Sequence, residues 1–305
     1  MFTQGTYKDP SSAKNYSDNN DVQFNQASAF INENGELVKG ETVDIGSGDG
    51  KLTAHFSSTF HVPITGVDIS EARVKFATDH FGSDKVKFKM GNAMTLSDAL
   101  PKTQFETIIS SNTLHHIPRN MMPTVFKQIH KLSKSNGVAL LLIPGRSPEL
   151  HDSIHETAKS ECWKKYFADF DLAKVRTYET PQYYKMLSFK SGFYHCEVTA
   201  EIMTGGKAMD LNGMKNFLAG WLPHLAHLKS QPIKDKDKIC DQFLSEIVRC
   251  YFKKLGKSLT DFVDPQITQN KVILYVSESS LFKKSVKGRE NIPESKQGTA
   301  LRSRL

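Results

Sequence analysis

The sequence has no apolar run long enough to cross a membrane. Its longest apolar stretch, VALLLIP at 138–144, has the length of a buried strand, whereas a membrane-spanning helix needs about 20 residues. The first twenty residues contain no apolar segment flanked by positive charge, so we expect no secretion signal. These absences favour a cytoplasmic protein without a membrane partner.

Cysteine is scarce, and its spacing is unlike that of a zinc site or a disulfide framework. The chain has four cysteines and no CxxC pair: Cys162, Cys196, Cys240 and Cys250. This usage is typical of a reduced intracellular protein and makes a zinc site unexpected.

One histidine pair has the spacing of a metal site. His151 and His155 in HDSIH stand four residues apart on a possible helix, with Glu149 and Glu156 nearby. Surface histidines with this spacing are much commoner than metal ligands. We therefore expect no metal.

The positive charge is concentrated at one end of the chain. The net charge is +7, and residues 282–305 hold seven Lys or Arg and two Glu, a net of +5. Few of these residues are apolar, which favours a disordered basic tail. Weak contact with RNA or acidic lipid is the alternative to a solvated terminus. The remaining residues carry only +2, so we expect no nucleic-acid partner.

Short β-rich runs alternate with amphipathic helices through the first half of the chain. This alternation predicts an α/β fold with a Rossmann-like, doubly wound, mostly parallel sheet. The second half is more helical and aromatic and is joined to the first without a visible linker. The predicted organisation is a flexible N-terminus at 1–15 and one domain at 16–281, with its core at 40–145 and helical cap elements at about 146–192 and 205–260.

The stretch VDIGSGDG at 43–50 places three glycines where a strand turns into a helix. Ligands of doubly wound sheets bind at such a turn. A dinucleotide loop needs its third glycine one residue later, where Lys51 stands, and a phosphate loop ending in GK[ST] fails because Leu52 follows Lys51. The loop therefore suits a nucleoside without phosphates, and Asp44 beside it suits a positively charged ligand.

Asp68 in GVDIS follows Gly48 by 20 residues, at the end of the next predicted strand. A carboxylate there can accept two hydrogen bonds from a ribose with free hydroxyl groups. The alternatives are a plain strand-helix turn for the glycines and a helix cap for Asp68.

Four segments in succession, VDIGSGDG, GVDIS, GNAM and FETIISSNTLHHI, resemble the motifs of class I S-adenosylmethionine-dependent methyltransferases. The resemblance covers about residues 40–145. It implies an enzyme with S-adenosyl-L-methionine as cofactor and a seven-stranded sheet whose last strand is antiparallel. The residues it assigns to the cofactor are Asp44, Gly46, Ser47, Gly48, Asp68, Ile69, Asn92, Ala93 and Ser111. Many relatives have aspartate where this chain has Asn92, but an amide can still accept from an adenine amino group.

A narrower resemblance lies outside this core. In YSDNNDVQ, residues Tyr16, Asn20 and Gln23 are spaced as in insect juvenile hormone acid methyltransferases. PQYYKMLSFKSGF and MKNFLAGWLPHLAHL are similar to segments of bacterial trans-aconitate methyltransferases. Both groups methylate carboxylates of small acids, so the resemblance implies a carboxylic acid substrate. His116 stands where both groups commonly carry tryptophan, so we do not expect juvenile hormone acid itself as the substrate.

A carboxylate acceptor is already ionised near neutral pH and needs no general base. The protein must mainly align the reacting atoms and exclude water. We expect Gln23 and His116 to orient the acceptor as hydrogen-bond donors, and Asn112, Tyr183 and Trp221 to contribute to its binding. The alternatives are core packing for Tyr183 and Trp221, a solvated helix position for Gln23 and a structural loop histidine for His116.

Other functions remain alternatives. One is N- or C-methylation of another small metabolite or quinone-like ring, with His116 as a base. A nucleic-acid methyltransferase would need a basic face, which the body of the chain lacks. A cofactor-binding protein without catalysis is the third alternative.

Overall fold

The computed structural model describes residues 20–100 and 104–285. Within these ranges the chain forms seven strands: β1 (Thr42–Ile45), β2 (Ile64–Asp68), β3 (Val86–Met90), β4 (Phe105–Ser111), β5 (Ser133–Pro144), β6 (His195–Thr204) and β7 (Gln266–Tyr275). The α-helices in the same ranges are α1 (Asp21–Glu33), α2 (Lys51–Phe60), α3 (Glu71–Phe81), α4 (Leu96–Ala99), α5 (Met122–Leu132), α6 (Pro148–Lys159), α7 (Pro181–Lys190), α8 (Leu211–Ala219), α9 (Pro223–Ser230), α10 (Lys236–Lys254) and α11 (Glu278–Ser285).

The seven strands form one sheet in the order β3-β2-β1-β4-β5-β7-β6. Strands β1 to β5 pair in parallel, and β7 runs antiparallel to both β5 and β6. The predicted seven-stranded, mostly parallel sheet with an antiparallel last strand is therefore confirmed. The strand order reverses beside β1, so the loops after β1 and β4 lie at the switch point where such sheets bind ligands.

The sheet is covered on both faces. Along β5, Leu141 and Ile143 pack into the apolar cluster that contains α5 and α7. Leu140 and Leu142 alternate with them and pack into the opposite cluster, with α1 and α2. Because β5 is buried on both sides, its sequence is a continuous apolar run, as expected for a central strand in a parallel sheet.

The predicted cap helices form a third apolar cluster. Helix α10 packs against α6, α8 and α9, and Trp163, Phe243 and Phe252 are buried among them. Val22 of α1 belongs to the same cluster, so α1 contacts both the sheet and the cap. The division into core and cap elements remains a prediction.

One predicted boundary is wrong. The sequence predicts a helix from Met122 to Gly137, but α5 ends at Leu132 and β5 begins at Ser133. Ser133 pairs with Phe105, and the register shifts before Val138. A Cβ on Gly137 would lie 2.9 Å from the carbonyl oxygen of Lys134. This glycine therefore marks close packing at an irregularity in the strand rather than the end of a helix.

The predicted flexible N-terminus, Tyr16 and residues 286–305 of the predicted basic tail lie outside the described residues. Helix α11 continues to Ser285, so the first four residues of the segment assigned to the tail are helical. Across 20–100 and 104–285, no helix has both the length and the apolar character needed to cross a bilayer.

We expect Gly50→Ala to lower the free energy of unfolding by about 2–4 kcal/mol. Gly50 has a φ of +83°, and a Cβ there would lie 2.7 Å from the Cβ of Ala77 and 2.7 Å from the Phe88 ring. Gly256→Ala is the matched control, since Gly256 has a φ of +66° and nothing within 4 Å of the added Cβ. Gly256→Ala should lower the free energy of unfolding only by the cost of the left-handed backbone, about 1–2 kcal/mol. Urea unfolding measures the free energy of unfolding of both variants. An equal decrease in the two would contradict the packing argument.

Candidate active site

The glycine loop after β1 is folded against the end of β2. The amides of Gly46 and Ser47 donate to the carbonyl oxygen of Val67 at 2.7 and 3.1 Å. Gly46 and Gly48 have φ values of +79° and +58°, which favour glycine. A Cβ on Gly46 would also overlap the side chain of Thr113. The loop therefore presents its main chain at the switch point.

Asp68 is buried and fastens this loop to β2. One carboxylate oxygen accepts from the Gly48 amide at 3.0 Å, and the other accepts from the Ser70 amide at 2.9 Å. The cap of α3 is Ser70, whose hydroxyl accepts from the Arg73 amide. Asp68 is thus not itself the cap, and its oxygens retain lone pairs for two further hydrogen bonds.

Two further carboxylates give the loop a negative potential. Asp44 in β1 is buried and accepts from the Thr53 hydroxyl at 2.6 Å. Burial raises the pKa of Asp44 to about 6 despite this bond, and the nearby carboxylates of Asp68 and Asp49 add to the effect. Such a site attracts a cation and repels a pyrophosphate.

The start of α1 lies on the glycine loop. The side-chain amide of Asn20 donates to the Asp49 carboxylate at 3.0 Å. Lys51 pairs with Asp21 at 3.8 Å and lies over the Phe24 ring, 4.9 Å from its centroid. The first turn of α1, which carries Gln23, is therefore held close to the predicted cofactor site.

Several buried polar atoms at this edge of the sheet have no partner among the described residues. They are Asn20 Oδ1, Gln23 Oε1, Ser47 Oγ, Ser111 Oγ and Asn112 Nδ2. An unsatisfied buried polar group costs about 1–3 kcal/mol. A ligand with polar groups at several points would satisfy these atoms, so the residues present fit a nucleoside that carries an amino acid.

The residues predicted for the adenine lie between the ends of β2 and β3. The Gly91 amide donates to the Asp68 carbonyl oxygen at 2.9 Å, and Asn92 Oδ1 accepts from the Met94 amide at 2.9 Å. Ile69 is 50% exposed, and Ala93 packs at the edge of the core. The structure thus groups these residues beside Asp68, while their contact with adenine remains a prediction.

Asn112, directly after β4, belongs to an amide chain that the sequence does not indicate. Gln269 of β7 donates to Asn112 Oδ1 at 3.1 Å and to Gln26 Oε1 of α1 at 2.8 Å. Asn112 has a φ of +52°, in the left-handed region that asparagine adopts more readily than most non-glycine residues. This chain connects α1, β7 and the loop after β4.

His116 lies in a short 3₁₀ turn after β4, with its ring centroid 4.1 Å from that of His115. Burial lowers the pKa of His116 well below its usual 6.5, and the guanidinium of Arg176 lowers it further. The same causes lower the pKa of His115 well below that value. Both imidazoles are therefore neutral and weakly basic near neutral pH.

The last two predicted substrate residues have different surroundings. Trp221 lies against the cap cluster, with its ring centroid 6.4 Å from that of His151, and its carbonyl oxygen accepts from Arg176 at 2.9 Å. The Tyr183 hydroxyl donates to the Arg119 carbonyl oxygen at 3.3 Å, and the Arg119 guanidinium lies over its ring. Trp221 therefore lies near His151, whereas Tyr183 packs against Arg119.

Among the residues that the structure describes, no three His, Cys, Asp or Glu side chains are grouped so that they could hold a metal ion. In the HDSIH segment, His151 Nδ1 lies 3.0 Å from the Ser147 amide nitrogen, and Glu156 pairs with Lys254 at 2.8 Å. These two side chains therefore already have protein partners.

Residues 42–137 match the family model of the methyltransferase domain. The chain is similar to juvenile hormone acid O-methyltransferase from Bombyx mori, with 25% identity over 199 residues, which cover 62% of this chain and 70% of that protein. It is also similar to phosphoethanolamine N-methyltransferase 3 from Arabidopsis thaliana, with 29% identity over 115 residues. That match covers 37% of this chain and only 23% of the plant protein.

Solved structures show the same fold. Phosphoethanolamine N-methyltransferase 2 from Haemonchus contortus, in complex with S-adenosyl-L-methionine, matches with a TM-score of 0.55 and 18% identity, covering 90% of this chain and 59% of that one. A second structure, from Galdieria sulphuraria, matches with a TM-score of 0.50 and 15% identity, covering 84% of this chain and 85% of that one. Together with the family model, these matches confirm the resemblance derived from the motifs.

We expect Asp68→Ala to weaken binding of S-adenosylhomocysteine about 10- to 100-fold, because it removes a charged hydrogen-bond acceptor. Isothermal titration calorimetry measures the affinity. Asp79→Ala is the control, since it removes the same charge from an exposed side chain of α3 that pairs with Lys75. An unchanged affinity in Asp68→Ala would refute the ribose assignment.

Proposed function

Because the chain is a class I S-adenosylmethionine-dependent methyltransferase, we propose that it methylates a carboxylate oxygen of a small organic acid. The similarity to a juvenile hormone acid O-methyltransferase over 70% of that protein's length supports this acceptor class. The departure at His116 makes juvenile hormone acid itself an unexpected substrate.

S-adenosylmethionine supplies a methyl group that is activated by the positive charge on its sulfur. A carboxylate oxygen forms the new bond to the methyl carbon, and the electron pair of the broken bond returns to sulfur. No proton moves, because a carboxylic acid is ionised near neutral pH. The protein needs only to hold the oxygen in line and to exclude water.

The observation that carries the proposal is the environment of His116. A phenol or an ammonium acceptor must lose a proton, which requires a base whose pKa lies near the working pH. Burial and Arg176 hold the pKa of His116 well below 6.5, so it is a weak base. Asp44 has a pKa raised to about 6, but it is buried beneath the glycine loop with the Thr53 hydroxyl donating to it, and Asp68 accepts from two backbone amides. These groups suit an acceptor that is already ionised.

In this proposal the chain's own side chains orient the acceptor. The Gln23 amide and an N–H group of His116 donate to the carboxylate. Gln269 fixes the Asn112 amide by donating to its oxygen, which leaves its buried NH₂ group as a further donor. Helix α1 covers the glycine loop and limits the access of water, and Trp221 forms part of the wall on the cap side.

N-methylation is a second candidate, favoured by the similarity to plant phosphoethanolamine N-methyltransferases. The chain spans about a quarter of those relatives, with 23% and 27% of their length covered. An amine acceptor would have to deliver its proton to a group other than the weakly basic His116.

We expect labelled methyl transfer from S-adenosylmethionine into carboxylic acids and not into phenols, amines or RNA. The labelled product should be an ester and should release methanol in mild alkali. Alkali-stable label in an amine or a ring would refute carboxylate methylation and support the second candidate.

The pH dependence tests the role of His116. With an acid acceptor, kcat/KM should be level between about pH 7 and 9, because the imidazole is neutral throughout. Below about pH 6 it should fall in wild type and in His116→Gln alike, as Asp44 protonates and then the acceptor near about pH 4–5. A base with an ordinary histidine pKa would instead make kcat/KM rise through about pH 6.5.

His116→Gln keeps an N–H donor and should retain a level profile, with less than about a 10-fold loss of kcat/KM. His116→Phe should lose about 10- to 100-fold. A sloping wild-type profile that His116→Gln abolishes would show that His116 is a base.

A further inference from the structure

Arg176 is a half-buried cation in the segment between β5 and α7. Its guanidinium donates to the carbonyl oxygen of Trp221 at 2.9 Å and to that of Val175 at 3.2 Å, and it hydrogen-bonds the Tyr178 hydroxyl. Its Nε has no partner among the described residues, and no carboxylate in the described ranges lies within 4 Å of the guanidinium.

The groups around Arg176 are neutral. Burial lowers the pKa of the neighbouring histidines, to about 3 for His224 and well below 6.5 for His115 and His116, and Arg176 adds to each shift. The nearest carboxylate in sequence, that of Glu179, pairs with Arg119 at 2.5 Å. A half-buried guanidinium whose buried Nε has no partner is partly removed from water without a counter-ion, so this surrounding favours an anion from outside the chain.

Arg176 is attached to the loop that carries His116. The Thr177 amide donates to the carbonyl oxygen of His115 at 2.8 Å, and the Thr177 hydroxyl donates to that of Ile117 at 2.6 Å. Trp221, whose carbonyl oxygen Arg176 also contacts, has its ring centroid 6.4 Å from that of His151. Arg176 therefore stands beside the loop that carries His116, which the proposed function assigns to the acceptor.

We propose that Arg176 binds a second acidic group of the acceptor, a carboxylate or a phosphate that is not methylated. The proposal rests on the proposed function. A guanidinium fork pairs with either group through two hydrogen bonds. The reacting carboxylate loses its charge when the ester forms, which would leave Arg176 unpaired in the product complex. A second anionic group keeps it paired before and after methyl transfer.

The test compares dicarboxylates with monocarboxylates of matched length: succinate, glutarate and adipate against butyrate, pentanoate and hexanoate. The wild-type protein should have a higher kcat/KM for each diacid than for the monoacid of the same length. Arg176→Gln should lower kcat/KM for diacids about 10- to 100-fold, mainly through KM, and change it less than about 3-fold for monoacids. Arg176→Lys should recover part of the loss. Comparing kcat/KM for phosphonoacetate with kcat/KM for acetate shows whether a phosphate-like group can replace the second carboxylate.

Lys174→Gln is the matched control. It removes one positive charge from the same segment, but its side chain is 80% exposed and lies near Asp171. It should leave the preference for diacids unchanged. An equal loss on monoacids and diacids in Arg176→Gln, or the same loss in Lys174→Gln, would overturn the proposal.

A second measurement needs no variant and no turnover. Phenylglyoxal modifies accessible arginines, and peptide mass spectrometry of the wild-type protein reports modification at Arg176. Glutarate or inorganic phosphate should protect Arg176, and pentanoate should protect it less. Equal modification with and without glutarate and phosphate would refute the anion site. If no acid accepts a methyl group, the proposed function fails, while protection still decides the role of Arg176.

Discussion

The hydrogen bond from the Gly48 amide to the Asp68 carboxylate fixes the geometry on which the site depends. It closes the loop after β1 onto the end of β2, where left-handed glycines let the main chain approach a ligand. The folded loop also presents Asp49, to which Asn20 binds α1. One buried carboxylate therefore shapes the cofactor loop and indirectly determines where the covering helix begins.

The two ends of the site have opposite electrostatic character. Asp44, Asp49 and Asp68 surround the glycine loop, whereas the neutral His115 and His116 lie in the loop after β4, with Arg176 beside them. This arrangement suits the proposed reaction between a cationic methyl donor and an anionic acceptor. In that reaction, methyl transfer removes the positive charge of the sulfur, so the cofactor product loses part of its attraction to the aspartates.

Local sequence patterns predicted the parts of the molecule that depend on neighbouring residues. Alternating strands and helices gave the sheet, and the spacing of Gly48 and Asp68 identified the loop that they form together. The amide chain through Gln269 and the cation of Arg176 were missed, because both depend on contacts between distant segments that have no local periodicity.

Tyr183 was chosen by resemblance alone, and the structure places it against Arg119. The end of α5 was misjudged because Gly137 serves a strand irregularity.

Most of the residues proposed to bind the acceptor lie outside the segment that the family model matches. The family model matches 42–137, which includes the glycine loop and His116 but not Gln23, Arg176 or Trp221. These three come from α1 and from the cap side, and α1 contacts both the cap cluster through Val22 and the glycine loop through Asn20. If these three side chains bind the acceptor as proposed, a change in the cap alters the acceptor site and leaves Asp68 in place. Such a separation would let one fold serve both O- and N-methylation, the two activities named among the relatives.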